Sequence, residues 1–124
     1  METLIILTLL VTKHFIVDFP LQTKFQYSNK GTYGHLGGIL HALLHYIGTF
    51  SVLIFFVPGY TAIILAFVDG VIHYHIDWAK MKLNSKMGWG PNSHEQFWWL
   101  LGLDQYLHYL TYIGIVAWST GVIF

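Results

Sequence analysis

Four apolar stretches of this chain carry histidine or aspartate residues spaced four apart: His14/Asp18, His41/His45, Asp69/His73/Asp77 and Asp104/His108. Residues i and i+4 share one face of a helix, so each stretch presents a polar stripe on an otherwise apolar rod. Ionisable groups at membrane depth are costly and normally point into a bundle, where they mark a site. Four such stripes predict an all-α bundle with one buried site.

Composition supports a membrane setting. The 124 residues suffice for a single domain, 1–124. They are 55% hydrophobic, 18% aromatic and only 10% charged, where a soluble domain carries roughly 25% charged residues. An integral membrane protein is therefore expected. The six basic residues are all lysine and formal net charge is zero. Without a basic stripe, nucleic acid is excluded as a partner. The absence of cysteine removes disulfides, thiolate metal sites and thiol nucleophiles.

A helical span needs about 20 mainly apolar residues, and four spans are expected, at 3–19, 36–57, 60–79 and 97–123. Pro20 ends the first, since proline lacks a backbone donor and restricts its predecessor. Pro58-Gly59 makes a tight turn between the second and third. Polar connections remain at 21–35 and 80–96. Glu2, Lys13, His14 and Asp18 make the first segment unlike a signal peptide, and it reads as a retained helix. Lys24, Lys30, Lys80, Lys82 and Lys86 fall in or beside the two long connections. The positive-inside rule makes that side cytoplasmic and both termini non-cytoplasmic. Lys13 is the exception, and its place is left open. Counted inward at the helical rise, His14, His41, His73 and Asp104 lie roughly 9–12 Å deep, with His45, Asp69 and His108 at about 14–18 Å.

Imidazole and carboxylate without sulfur suit zinc first, then manganese, iron or nickel. Bundles build such sites from i, i+3 or i, i+4 ligands on facing helices. The candidate metal ligands are His14, Asp18, His41, His45, His73, Asp77, Asp104 and His108, enough for one or two divalent ions with supporting carboxylates. Asp69 and Glu95 are the candidate catalytic groups. Asp69 also reads as part of a second ion site or its supporting shell, and Glu95 has the plainer reading of a helix cap. A lone intramembrane histidine such as His45 or His108 can equally be a cross-helix hydrogen-bonding group. Asp18, Asp77 and Asp104 can be ion-pair partners of lysines or histidines. His35 and His94 read as surface residues, His75 as interfacial. Gln22 and Gln105 read as orienting donors. Trp89, Trp98 and Trp99 read as an aromatic belt or the walls of a lipid entrance, and Ala117-x-x-x-Gly121 as a weak helix-packing pair.

The run His14-Phe-Ile-Val-Asp18-Phe-Pro-Leu-Gln22 resembles the opening motif of a bacterial and phage membrane family known as domain of unknown function 3307. His41-Ala-Leu-Leu-His45, His73-x-x-x-Asp77-x-x-Lys80 and Asp104-Gln105-x-x-His108 are similar to its other three motifs, in the same order. The resemblance covers nearly the whole chain. It implies a small multi-helix membrane protein, in the bacterial inner membrane or phage-encoded, and brings no activity. The arrangement is more loosely similar to small inner-membrane proteins named as metal-dependent hydrolases, an analogy only. No arginine is present to clamp a phosphate bidentately, which counts against a phosphoester substrate. Adjacent-histidine boxes of membrane di-iron enzymes are missing, as are the further aspartates a CDP-alcohol transferase pattern needs after Asp69-Gly70.

The expected function is metal-dependent hydrolysis of a membrane-associated substrate from the cytoplasmic side. Two readings compete. One is a metal-ion or proton transporter, which at this size would act as a homodimer. The other is a structural or phage-accessory membrane protein whose polar layers only fix helix register.

Overall fold

Prolines and glycines set the helix boundaries. The computed structural model describes residues 1–122 and comprises α1 (Glu2–Asp18), α2 (Lys24–Tyr27), α3 (Leu36–Leu53), α4 (Gly59–Met87) and α5 (Glu95–Ser119). No strand occurs among the described residues. Pro20 follows the last turn of α1. Pro58 stands at the N-cap of α4 with φ −53° and ψ 143°, where its missing donor costs nothing. Gly88 takes φ 67° and closes α4 in the left-handed conformation, accessible to glycine at little cost.

Several boundaries differ from the sequence expectation. The span expected at 60–79 continues to Met87, because Lys80-Met-Lys-Leu-Asn-Ser-Lys-Met87 is polar yet mostly strong helix formers. The span expected at 36–57 stops at Leu53, and Phe56 N–H bonds back to the Leu53 carbonyl at 2.9 Å in a tight turn. The first long connection holds the one-turn helix α2. The fourth span begins at Glu95, two residues early, and ends at Ser119; its expected last residue, Ile123, lies outside the described residues.

The four long helices form a ring in chain order. α1 packs on α3, α3 on α4, α4 on α5 and α5 on α1, with no close backbone approach across either diagonal among the described residues. The axis is therefore filled by side chains. It divides into two zones. One end is apolar, built from Ile6, Leu10, Leu53, Ala62, Ile115 and Val116. The other holds the histidines and aspartates. The outer faces reverse the usual order: Phe15, Leu43, Ile63, Phe67 and Ile113 are exposed, while Lys13, Asp69 and Asp77 are buried. Two helices, α3 with mean hydropathy 1.5 and α4 with 1.3 over its most apolar stretch, are long and apolar enough to cross a membrane.

Candidate metal centre

The polar stripes meet. His14, Asp18, His41, His45, His73, Asp77, Asp104 and His108 are all buried, none more than 6% exposed. Their side chains form three groups able to hold a metal ion: His14, Asp18, His45 and His73; His41, His73 and Asp77; Asp77, Asp104 and His108. Within each group one ligand atom per residue lies within 4.8 Å of the others. His73 joins the first two groups and Asp77 the last two.

One set of close contacts takes one residue from α1, one from α3 and two from α4. His41 Nε2 lies 3.0 Å from Asp18 Oδ1 and 3.3 Å from Asp77 Oδ2. His73 Nε2 lies 3.5 Å from Asp18 Oδ1, 3.3 Å from Asp77 Oδ2 and 3.2 Å from His41 Nε2. On its other side, Asp77 Oδ1 faces His108 Nε2 at 3.3 Å. His108 Nε2 is also 3.6 Å from Asp104 Oδ1, an oxygen that has no hydrogen-bond partner despite being buried.

Hydrogen-bond logic fixes the roles of the remaining two histidines. Lys13 lies inside the bundle, and its ammonium spends its three donors on Asp69 Oδ2 at 3.0 Å, Tyr112 Oη at 3.1 Å and His45 Nδ1 at 3.2 Å. An ammonium can only donate, so His45 Nδ1 accepts and the imidazole proton sits on Nε2. From there it is given to Asp18 Oδ1 at 2.8 Å. Tyr112, already accepting from Lys13, is free to donate to His14 Nδ1 at 2.8 Å. His14 Nε2–H then donates to Gln105 Oε1 at 3.0 Å and Asp18 Oδ2 at 3.1 Å. The two histidines thus donate one to each oxygen of the Asp18 carboxylate, His45 to Oδ1 and His14 to Oδ2.

The second buried lysine comes from a loop. Lys30 Nζ reaches Asp77 Oδ2 at 2.9 Å. Burial opposes its charge, but Asp77, with Asp18 and Asp104 beyond it, outweighs that and holds the ammonium above the ordinary lysine range. Glycines make room for both lysines. A Cβ on Gly48 would sit 2.6 Å from Lys13 Cγ, and one on Gly38 3.2 Å from Lys30 Cα. Gly48→Ala is expected to cost about 1–3 kcal/mol in thermal or denaturant unfolding, the usual cost of overpacking.

Asp69 and Glu95 stand apart from the ligand groups. Asp69 is buried between Lys13 and the Thr49 hydroxyl. Glu95 is exposed in the first turn of α5 and joins none of the three groups. His35 accepts from Gly37 N–H at the N-cap of α3, 3.0 Å. His94 stands at the N-cap position of α5 without a side-chain capping bond, its ring accepting from Gly90 N–H in the preceding loop at 3.2 Å. His75 is exposed and bonds Tyr33 Oη at 3.0 Å. Gln22 donates to the Asp18 carbonyl at 2.6 Å, and Gln105 to Asp104 Oδ2 at 3.1 Å. Thr49, Tyr112 and Lys30 belong to the site without having been singled out. The first two continue stripes already recognised, four residues beyond His45 and His108.

A four-helix bundle with buried histidine and aspartate groups is the class that fold and site define. The chain belongs to the DUF3307 family, a protein family of unknown function, which matches residues 6–123. Comparison with curated proteins and with solved structures finds no match.

Proposed function

We propose that this chain is a four-span membrane bundle whose histidine–aspartate cluster binds one or two divalent ions, zinc first, and hydrolyses a membrane-associated substrate. One observation carries the metal reading. Tetrahedral zinc with ligands at 2.0–2.1 Å separates those ligands by about 3.3 Å. The three edges joining His41 Nε2, His73 Nε2 and Asp77 Oδ2 measure 3.2–3.3 Å, and Asp18 Oδ1 lies 3.0 and 3.5 Å from the two imidazoles. His41 from α3 and His73 and Asp77, one turn apart on α4, are spaced as three ligands of one ion, with Asp18 against the two histidines. The site is unlike a fortuitous acidic patch, because it lies wholly inside the bundle.

Charge supports the same reading. Lys13 and Asp69 neutralise each other, leaving Asp18, Asp77 and Asp104 against Lys30. With neutral imidazoles that layer carries two uncompensated negative charges, which burial makes expensive. A divalent cation balances them. The Asp77 carboxylate, with one oxygen towards His41 and His73 and the other towards His108, suits the bridge of a two-ion centre. Such ions supply a nucleophile by lowering the pKa of bound water.

Membrane insertion follows from the exposed apolar exterior and buried charge. At 29 residues, α4 is about 43 Å long against a hydrocarbon core of about 30 Å. Its lysine-bearing end projects on the side we assign to the cytoplasm. Transport is the weaker reading, because the apolar zone of Ile6, Leu10, Leu53 and Ala62 blocks a polar path through the bundle.

Elemental analysis of protein purified without chelator tests the metal reading. About one or two zinc equivalents per chain are expected, falling by at least tenfold in His41→Ala/His73→Ala. Hydrolysis of a nitrophenyl ester and phosphoester panel should fall in parallel. A metal-free wild type whose stability ignores added zinc would falsify the proposal.

A further inference from the structure

An opening reaches the cluster from the side. Between α4 and α5 lies a groove of about 360 Å³, within the size range of small-molecule sites. Its walls are apolar, from Leu83, Leu100, Leu103 and Leu107. Its polar contributions include Lys80 and Asp104. Lys80 is one turn beyond Asp77, half-buried, and makes no hydrogen bond or ion pair among the described residues. Asp104 is 4% exposed and lines the groove, with its Oδ1 buried and unpartnered. The groove therefore joins an aliphatic trough to an unpaired cation beside the Asp77–Asp104–His108 group.

We infer that this groove admits an anionic lipid, with its hydrocarbon chain along the leucine wall and its oxyanion head on Lys80. The inference names the substrate class of the metal site and rests on the hydrolytic reading above. Two features select that occupant. The trough offers almost no polar surface along its length, so a chain of methylenes fits where a peptide backbone would leave polar groups unpaired. The unpaired ammonium at its polar end complements a single anionic head. A neutral amphiphile would leave Lys80 without a partner; a free anion would leave the leucine wall unfilled. The head would come to rest against the half of the cluster whose carboxylate oxygen is unpartnered, which places a headgroup linkage beside the second ion position. This route enters from the bilayer side of the bundle and needs no opening along the axis.

Dodecyl phosphate, dodecanol and inorganic phosphate separate chain from charge. Binding is read by native mass spectrometry of the full chain in a non-ionic detergent, with zinc content measured on the same preparations. Dodecyl phosphate is expected to bind about tenfold tighter than dodecanol, and a thousandfold excess of inorganic phosphate should not displace it. Lys80→Gln should erase the preference for the phosphate head. Leu103→Trp, at a half-exposed position that tolerates bulk, should weaken both alkyl ligands at least tenfold. Preference retained in Lys80→Gln, affinity unchanged in Leu103→Trp, or displacement by inorganic phosphate would each overturn the inference, and with zinc still bound the metal reading survives. A chain that shows the preference but binds no zinc keeps the groove and removes the hydrolytic reading instead.

Discussion

Asp77→Ala is expected to lower stability by about 3–5 kcal/mol and to remove bound metal altogether. The cost is that of breaking a buried ion pair from one side. Asp77 holds Lys30 at 2.9 Å and faces His41, His73 and His108 at 3.3 Å each. Its loss leaves the Lys30 ammonium buried with no anion in contact. Two further variants separate the contributions. Lys30→Met/Asp77→Ala removes the stranded charge and should recover most of the stability while metal stays absent. Asp77→Asn keeps the shape and loses one negative charge, so it should fall between wild type and Asp77→Ala in both measurements. Thermal unfolding in detergent reports the first quantity and elemental analysis the second. A double variant as unstable as Asp77→Ala would show that Asp77 acts through packing or through the ion, with Lys30 a bystander.

The eight candidate ligands were legible because buried helical polar groups repeat at the helix period, and the ring of helices turns every such face to one axis. Tyr112 and Thr49 were legible by the same rule, had His108 and His45 been followed one further turn. Lys13 was not. It neighbours His14, about 100° away around the helix, and only the ring geometry shows that its long side chain reaches back past Gly48 to Asp69. Lys30 was hidden for a different reason: a loop has no periodicity, and lysine in a loop is normally solvated. The glycines Gly37 and Gly38 at the start of α3 were the available signal that something packs closely there. The length of α4 was misread because polarity was taken for a loop where propensity pointed to a helix. Roles within the cluster lay beyond the sequence, since the tautomers of His14 and His45 follow from which way the Lys13 ammonium is pointing.

Asp69→Leu should be as damaging to stability as Asp77→Ala, and for the same electrostatic reason, yet its effect on the metal should be different in kind. Asp69 accepts from Lys13 at 3.0 Å and from the Thr49 hydroxyl, and it belongs to none of the three ligand groups. Removing it strands a buried ammonium, at about 3–5 kcal/mol. Lys13→Met/Asp69→Leu takes away both charges, and replacing a buried pair with apolar side chains of similar size is often neutral or stabilising. That double variant should unfold close to wild type. It also removes the donor that holds His45 Nδ1 as an acceptor and the one that turns the Tyr112 hydroxyl towards His14. Both imidazoles are then free to change tautomer, and Asp18 loses its fixed donors. Zinc stoichiometry should persist while affinity drops by about 10–100-fold, the usual effect of losing outer hydrogen-bond partners. The comparison therefore separates two accounts of the Lys13–Asp69 pair. If the pair only neutralises buried charge, the stable double variant binds zinc as wild type does. If it also sets proton positions around Asp18, stability returns and affinity does not, and a competitive chelator titration of the two proteins tells them apart.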